Sequence, residues 1–388
     1  MDKQLQRPPI RVLHVITGLR SGGAEMMLFK LLSGMDRQIF TCTVVSLTDD
    51  GDMAERIRAQ GVPVYSLGMK GVMSMPRAML RLMGMLKDQS TQVVQCWMYH
   101  ADLLGGVAGW LAGVPVIWGI RQSNFDPVSS KQATIRIMRW CARLSAKIPT
   151  QIVCCSDTAC RIHGQQGYAA QKMVMIPNGF QTEIFHPDEQ ARQRIRQTLK
   201  LPADAAVIGI VGRFDPQKDH KNFVKAAAQL VQRLPGVYFL LCGKGLSADN
   251  TELMAWIREE GVADRCLLLG QRDDLNQLYC AMDVLVSASA YGEGFPNVVG
   301  EAMACAVPCV VTDVGDSALI VGDSGRVVPP RDVEALAAAM QELLSLSLEE
   351  RKQLGMTARR RIEENYALPT VVERYQDLYE EVAAQCAE

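Results

Sequence analysis

Tyr291-Gly292-Glu293-Gly294-Phe295-Pro296-Asn297-Val298-Val299-Gly300-Glu301 places two carboxylates with seven residues between them. Glycines flank the first carboxylate, and a Pro-Asn pair follows it. Proline suits the first turn of a helix, where its missing N–H costs nothing. The spacing therefore predicts Glu293 on a glycine-rich loop and Glu301 about two turns inside the helix that follows. The loop comes directly after the apolar run Val284-Leu285-Val286, which reads as a buried strand. A strand, a glycine loop and a helix start together present free backbone N–H groups that suit a phosphate or diphosphate. Two carboxylates beside such a pocket suggest a ligand that carries hydroxyls as well as phosphates. Taken locally, the same residues also fit a helix start with one dipole-favoured Glu and one surface Glu.

Working outward, strand and helix signals alternate along the whole chain. In the first half, strands are predicted at residues 12–16, 41–46, 62–66, 93–96, 116–118, 151–155 and 173–176. In the second half they fall at residues 207–211, 237–242, 266–268, 284–286, 309–311 and 326–328, and helices fill the tail from Val333. Such alternation implies mostly parallel sheets with helices on both faces. The 388 residues suit two domains of ordinary size. Ile176-Pro177-Asn178-Gly179-Phe180 through Phe185-His186-Pro187-Asp188 holds two prolines and a turn dipeptide, which places the linker there. The expected domains are residues 1–187 and 188–370, with a terminal helix at about residues 371–388 packing back on the first.

Ligands of such sheets sit at the carboxyl ends of the strands. In the first domain three segments occupy that edge: the loop Gly18 to Glu25 with Gly22 and Gly23, Trp97-Met98-Tyr99-His100, and Gly119-Ile120-Arg121-Gln122-Ser123-Asn124. The glycine spacing of the first loop is not that of the dinucleotide fingerprint. His100 and Arg121 are candidate site residues by position, with capping of the next helix as the plainer role for His100. In the second domain Gly212-Arg213-Phe214-Asp215-Pro216-Gln217-Lys218-Asp219 follows the first strand. Arg213 and Lys218 beside a helix start make a diphosphate clamp.

Charge is unevenly distributed. The first 186 residues hold 20 Lys+Arg against 12 Asp+Glu, and the remainder 21 against 30, for an overall −1. A basic half predicts an anionic partner. No interleaved basic and aromatic motif supports nucleic acid, which leaves anionic lipid. Arg136, Arg139, Arg143 and Lys147 fall within one quarter of a helical wheel, with Ile137, Cys141, Leu144 and Ile148 on another face and Trp140 near the border. This basic amphipathic helix fits an anionic membrane surface or a solvated face, and the Met-rich helix with Arg77 and Arg81 offers a second contact. Leu103 to Ile120 lacks charge but holds five glycines and Pro115, so it reads as helix, loop and strand broken at Gly113 rather than as a span. Twelve cysteines without a C-x-x-C pair read as buried free thiols of a reducing compartment, the adjacent Cys154-Cys155 included. The start of the chain lacks the apolar segment of a signal peptide. Asp50-Gly51-Asp52 has the form of a metal-binding Asp-x-Asp but sits in an acidic turn, and reads as a solvated loop.

Taken together, these motifs resemble the retaining nucleotide-sugar glycosyltransferases of family four. Gly22-Gly23-Ala24-Glu25 matches that family's glycine loop. Ile176-Pro177-Asn178-Gly179 with Phe185 matches its linker. Gly212-Arg213 with Lys218 matches its phosphate-binding pair, and Glu293 to Glu301 with the central Phe295-Pro296 matches its Glu-x7-Glu motif. The resemblance implies a GT-B fold, two Rossmann-like doubly wound domains facing across a cleft. It implies that Glu301 binds the donor ribose and that Glu293 lies near the reacting sugar carbon. Arg213, Lys218 and the N–H groups around Phe295, Pro296 and Asn297 would hold the diphosphate. Gly22 and Gly23 would admit it from the other domain, and Arg272 would lie near the base. Many members carry a His where this chain has Arg121, and His100 at the neighbouring strand end is the candidate to share that role.

The expected function is a retaining, metal-independent hexosyl transfer from a nucleoside-diphosphate sugar, with a UDP-sugar favoured, and no cofactor. The expected acceptor is a glycan or polyprenyl-linked hydroxyl of cell-envelope polysaccharide, lipopolysaccharide or capsule synthesis. The expected location is cytoplasmic, peripheral on an anionic inner membrane, with no nucleic-acid partner. A nucleotide-sugar epimerase on the same fold and a silent sugar-nucleotide binding module are the alternatives. The Glu-x7-Glu pattern fits transferases better than epimerases, and intact Glu293, Glu301, Arg213 and Lys218 speak against a silent module.

Overall fold

The computed structural model describes residues 8–20, 22–123 and 132–385. Two compact units emerge: residues 1–179 with 368–388, and residues 180–367. The division falls after Gly179 rather than at 187, and the returning segment begins at Leu368 rather than near 371.

In the first unit, strands β1 (Ile10–Ile16), β2 (Phe40–Ser46), β3 (Val64–Ser66), β4 (Val93–Trp97), β5 (Val116–Ile120), β6 (Gln151–Cys154) and β7 (Met173–Met175) form one sheet in the order β3-β2-β1-β4-β5-β6-β7. Every pairing is parallel. Helices α1 (Gly23–Gly34), α2 (Gly51–Ala59), α3 (Met75–Asp88), α4 (Tyr99–Leu111), α5 (Gln132–Leu144) and α6 (Asp157–Gln165) connect the strands. Successive strand residues point to opposite faces, and both faces are buried. Val12, Val44, Val93, Trp97 and Ile117 pack with α1 and α2. Leu13, Val45, Val94, Cys96 and Trp118 pack with α3, α4 and α5. This two-sided burial is why the strands read as near-continuous apolar runs. The uncharged stretch from Leu103 ends its helix at Leu111 and turns at Gly113, whose φ of +70° favours glycine. Among the described residues no helix is long and apolar enough to cross a membrane.

In the second unit, α7 (Glu189–Thr198) leads into β8 (Ala206–Val211), α8 (His220–Arg233), β9 (Val237–Cys242), α9 (Thr251–Glu259), β10 (Cys266–Gly270), α10 (Leu275–Cys280) and β11 (Val284–Ser287). There follow α11 (Asn297–Ala304), β12 (Cys309–Thr312), α12 (Ser317–Val321), β13 (Arg326–Val328), α13 (Val333–Ser345) and α14 (Leu348–Asn365). The sheet order is β10-β9-β8-β11-β12-β13, again all parallel. Its core joins Ile208, Ile210, Phe239, Leu241, Val284 and Val286 to Phe223, Leu230, Leu336 and Met340 of α8 and α13.

The chain ends on α15 (Leu368–Ala384), which belongs to the first unit. It buries Val371, Val372, Tyr375, Leu378, Tyr379 and Val382 in the cluster shared with α1 and α2. The Asn178-Gly179 dipeptide is more than a turn. Asn178 is buried and accepts from the Arg121 guanidinium, while a Cβ on Gly179 would lie 2.8 Å from Leu368. The linker signature is thus packed against α15, which moves the end of the unit earlier than composition suggests.

Candidate active site

Strand order reverses between β8 and β11, and in an open parallel sheet that is where ligands bind. The two loops that leave these strand ends are the Gly212–Asp219 segment and the segment carrying Glu293. They meet through one ion pair. Lys218 Nζ donates to Glu293 Oε1 at 2.5 Å, with the side chains only 18% and 9% exposed. Ser289 Oγ donates to the same carboxylate oxygen at 2.6 Å. Gln217 O accepts from Ala290 N at 2.8 Å and ties the two loops a second time.

The helix start differs in detail from expectation. Pro296 is the N-cap, with φ −73° and ψ 106°, and α11 begins at Asn297. Glu301 therefore lies about one turn in rather than two. Its Oε2 accepts from the Tyr279 hydroxyl at 3.1 Å. Phe295 is buried, stacked on Phe180 and edge-on to Tyr366, so its side chain anchors the loop while its backbone leads into the helix. Gly300 is required by packing, since a Cβ there would sit 2.1 Å from the Phe180 ring. Gly315, at φ +63°, lets its loop touch the Glu293 carbonyl, and Asp316 N donates to Gly294 O at 3.0 Å.

The other expected donor residues are held less tightly. Arg213 is largely exposed; it pairs with Asp215 at 2.9 Å and donates to Gln217 Oε1 at 3.4 Å. Arg272 forms a two-point pair with Asp274, and its charge is directed there rather than to an open pocket.

In the first unit the order reverses between β1 and β4. Gly22 is the N-cap of α1 and Gly23 its first residue, both exposed; Ser21 lies outside the described residues. Glu25 folds back on this helix start, 2.5 Å from where a Gly22 Cβ would be, and burial raises its carboxyl above the usual range. His100 is the second residue of α4, half-buried, and burial lowers its imidazole below the ordinary value. Arg121 does not stand free at its strand end. It donates to Asn178 Oδ1 and, at 3.1 Å, to the Tyr375 hydroxyl, and it lies 5.3 Å over the Trp97 ring. Its guanidinium holds the linker and α15 to the sheet, and that accounts for a cation at this position. Asn124 lies outside the described residues.

Asp50 and Asp52 are solvated as expected, but at a helix start rather than in a loop. Asp50 is the N-cap residue of α2, paired with Arg58 at 2.7 Å and bonded to Ser66, and Asp52 lies in the first turn. Among the described residues no three His, Cys, Asp or Glu side chains cluster as metal ligands.

Two family models match the chain. One described as "Glycosyl transferases group 1" covers residues 205–346, and one described as "Glycosyltransferase Family 4" covers residues 21–184. Over 382 residues the chain is 27% identical to the UDP-Gal:alpha-D-GlcNAc-diphosphoundecaprenol alpha-1,3-galactosyltransferase of Escherichia coli, covering 95% of this chain and 96% of that one. It is 28% identical over 311 residues to the putative glycosyltransferase EpsF of Bacillus subtilis, covering 78% and 79%. The crystal structure of Anabaena Alr3699/HepE in complex with UDP superposes with a TM-score of 0.86 at 20% identity, covering 96% and 100%.

The chain is a GT-B glycosyltransferase.

In this glycosyltransferase the structure brings Lys218 and Glu293 together, while Glu301, one turn into α11, is bonded to Tyr279. Arg121 and Arg272 are each committed to protein partners. Two features were missed by sequence reasoning. Met98, between β4 and His100, has φ +71° and ψ 158°, a conformation that a non-glycine residue adopts only under strain of about 1–3 kcal/mol. It is held by Met98 N donating to Gly119 O at 2.8 Å and Met98 O accepting from Asp102 N at 2.9 Å. No sequence signal reports a positive φ at methionine. Ser289 was the other omission, legible only as a hydroxyl four residues before Glu293.

Proposed function

We propose that this glycosyltransferase transfers a sugar with retention from a nucleoside-diphosphate donor, a UDP-sugar, to a hydroxyl of a lipid-linked or polysaccharide acceptor of the cell envelope, as a member of family four. The observation that carries the reading is the Lys218–Glu293 pair at the strand-order reversal, with Glu301 one turn further along α11. Support comes also from HepE, solved with UDP and with UDP-glucose, and from the Escherichia coli relative, whose name specifies UDP-Gal and a diphosphoundecaprenol-linked acceptor.

Cleavage of the sugar–phosphate bond leaves an oxocarbenium-like carbon and a diphosphate that gains negative charge. A cation fixed where that charge develops lowers the barrier. Lys218 is the buried cation, and Arg213 is the exposed one. Glu293 holds Lys218 in register, and a bound diphosphate takes over part of that ammonium, which leaves the Glu293 carboxylate beside the reacting carbon. Glu301, oriented by Tyr279, accepts from the ribose hydroxyls. Asn297 and the next N–H groups of α11 face the anion at the positive end of the helix. Retention follows a front-face course, with the departing phosphate taking the acceptor proton. Trapping of a glycosyl adduct on Glu293 would show a double displacement instead. With two cations supplying the leaving-group charge, the reaction runs without a metal.

The acceptor side rests on α5. Arg136, Arg139 and Arg143 are exposed on α5, next to the 54% exposed Trp140, while Met138, Cys141 and Ala142 face the core; Lys147, expected on the same helix, is exposed in the turn that follows its end at Leu144. A cationic face with an interfacial tryptophan suits an anionic bilayer surface that carries a lipid-linked acceptor. The deciding experiment is a screen of nucleotide sugars for release of free nucleoside diphosphate, with and without EDTA. Release from UDP-sugars that survives EDTA is expected. Release from no donor would overturn the transfer reading, and loss of activity with EDTA would overturn metal independence.

A further inference from the structure

We propose that Cys280 and Cys305 are a modification site: a thiol pair that a hydroperoxide converts to a disulfide, which shifts the seat of Glu301. The site lies behind the donor residues within the second unit. A cavity of about 390 Å³ opens there, lined by Pro187, Asp188, Cys280, Cys305, Arg351 and Lys352, among others.

The two sulfurs converge. Cys280 Sγ lies 3.2 Å and Cys305 Sγ 3.7 Å from the same Asn276 carbonyl oxygen. Each thiol is also the leading influence on the ionisation of the other. Hydrogen bonding from Cys305, helped by the backbone at Asp188, lowers Cys280 to about 7, while Cys305 is pushed up. The buried thiols Cys42, Cys96, Cys141 and Cys309 shift upward, because burial disfavours a thiolate. With both sulfurs on one carbonyl and both side chains lining the cavity, Cys280 serves as the attacking thiol of the proposed step and Cys305 as the resolving one.

The chemistry balances with one equivalent of hydrogen peroxide. The Cys280 thiolate attacks one peroxide oxygen, an S–O bond forms, the O–O bond breaks, and the departing hydroxide takes a proton to leave as water. Cys305 sulfur then attacks the Cys280 sulfenic acid, the S–S bond forms, the S–O bond breaks, and a second water leaves with the Cys305 proton. Two thiols lose two electrons, and the peroxide gains them.

The consequence for the site follows from position. Cys280 ends α10 and adjoins Tyr279, which holds Glu301 Oε2. Cys305 caps α11, and its N–H donates to the Glu301 carbonyl at 3.2 Å. A disulfide fixes the two sulfurs at about 2.05 Å with a set dihedral, so linkage constrains the ends of these two helices beside the Tyr279–Glu301 contact. The predicted loss of nucleotide affinity rests on the donor reading of Glu301; the linkage itself does not.

The test uses the full-length reduced protein treated with one equivalent of hydrogen peroxide, then alkylated, digested and mapped by mass spectrometry. A Cys280–Cys305 linked peptide is expected, with several-fold weaker UDP binding by calorimetry, restored by dithiothreitol. Cys305→Ser and, separately, Cys280→Ser are expected to bind UDP like the reduced parent and to lose the peroxide effect. No linked peptide, or linkage of other cysteines in its place, would overturn the pair. A linked peptide with unchanged UDP affinity would overturn its coupling to Glu301. If the reduced protein fails to bind UDP at all, the donor reading falls, and the linked peptide still decides the thiol pair.

Discussion

Lys218 and Glu293 share a mostly buried contact, so deletion of either leaves a charge without compensation. Truncating one member of such a pair costs about 3 kcal/mol, and losing a charge matched to the transition state costs roughly 10²–10³ in turnover. Lys218→Ala is therefore expected to lower both the urea midpoint and kcat. Adding Glu293→Gln is expected to recover the midpoint without recovering kcat. Recovery of both would mean that Lys218 acts only on Glu293, and not on the diphosphate. A second residue-scale prediction concerns Asp102. Its Oδ1 accepts from Gly119 N at 3.0 Å, Oδ2 has no hydrogen-bond partner among the described residues, and burial raises the carboxyl to about 8. The unfolded value is near 3.9, so between those pH values the folded chain keeps a proton that the unfolded chain releases. Stability is then fully present below about pH 4 and declines as pH rises toward 8. Asp102→Asn, which mimics the protonated side chain, is expected to flatten that decline in urea titrations at pH 5, 7 and 9. An unchanged slope would show Asp102 ionised in the folded state.

At the scale of elements, α5 divides its side chains cleanly between core and solvent. Arg143 also lies 5.4 Å from the Trp140 ring, which keeps the aromatic and the cation on one face. Reversing Arg139 and Arg143 together to Glu changes the charge of that face by four. Each cation near an anionic surface contributes about 1 kcal/mol, so cosedimentation with phosphatidylglycerol vesicles is expected to fall strongly while the thermal midpoint stays within a degree or two. Undiminished cosedimentation would remove α5 as the contact. The elements themselves were legible in sequence because a strand buried on both faces, such as Val93–Trp97, has to be an unbroken apolar run. The depth of Glu301 was not, since it turned on whether Pro296 would be the first helical residue or the cap, and both suit proline. The position of Arg121 was legible, but its engagement was not, because its partners Asn178 and Tyr375 come from distant sequence. Lys218 and Glu293 were each legible as candidates; their pairing, across 75 residues, is a product of the β8–β11 neighbourhood.

For the whole molecule, one unit is continuous in sequence and the other is not. Residues 180–367 contain all six strands of their sheet and the core that covers it. The first unit depends on α15, which returns after that excursion to bury Val371, Val372, Tyr375, Leu378, Tyr379 and Val382. Fully burying one such side chain is worth about 1.5–3 kcal/mol, so the six together are comparable with the entire stability of a domain, about 5–15 kcal/mol. Arg121 adds to this by gripping Tyr375. Cutting the chain after Ala367 should therefore unfold the first unit, with loss of near-UV dichroism from Trp97 and Trp118, which are both fully buried. Residues 180–367 expressed alone should instead melt cooperatively and, because Lys218, Glu293 and Glu301 all lie within them, retain UDP binding. A chain ending at 367 that keeps the near-UV signal would show that α15 is dispensable, and an isolated 180–367 that folds without binding UDP would place essential donor contacts in the first unit.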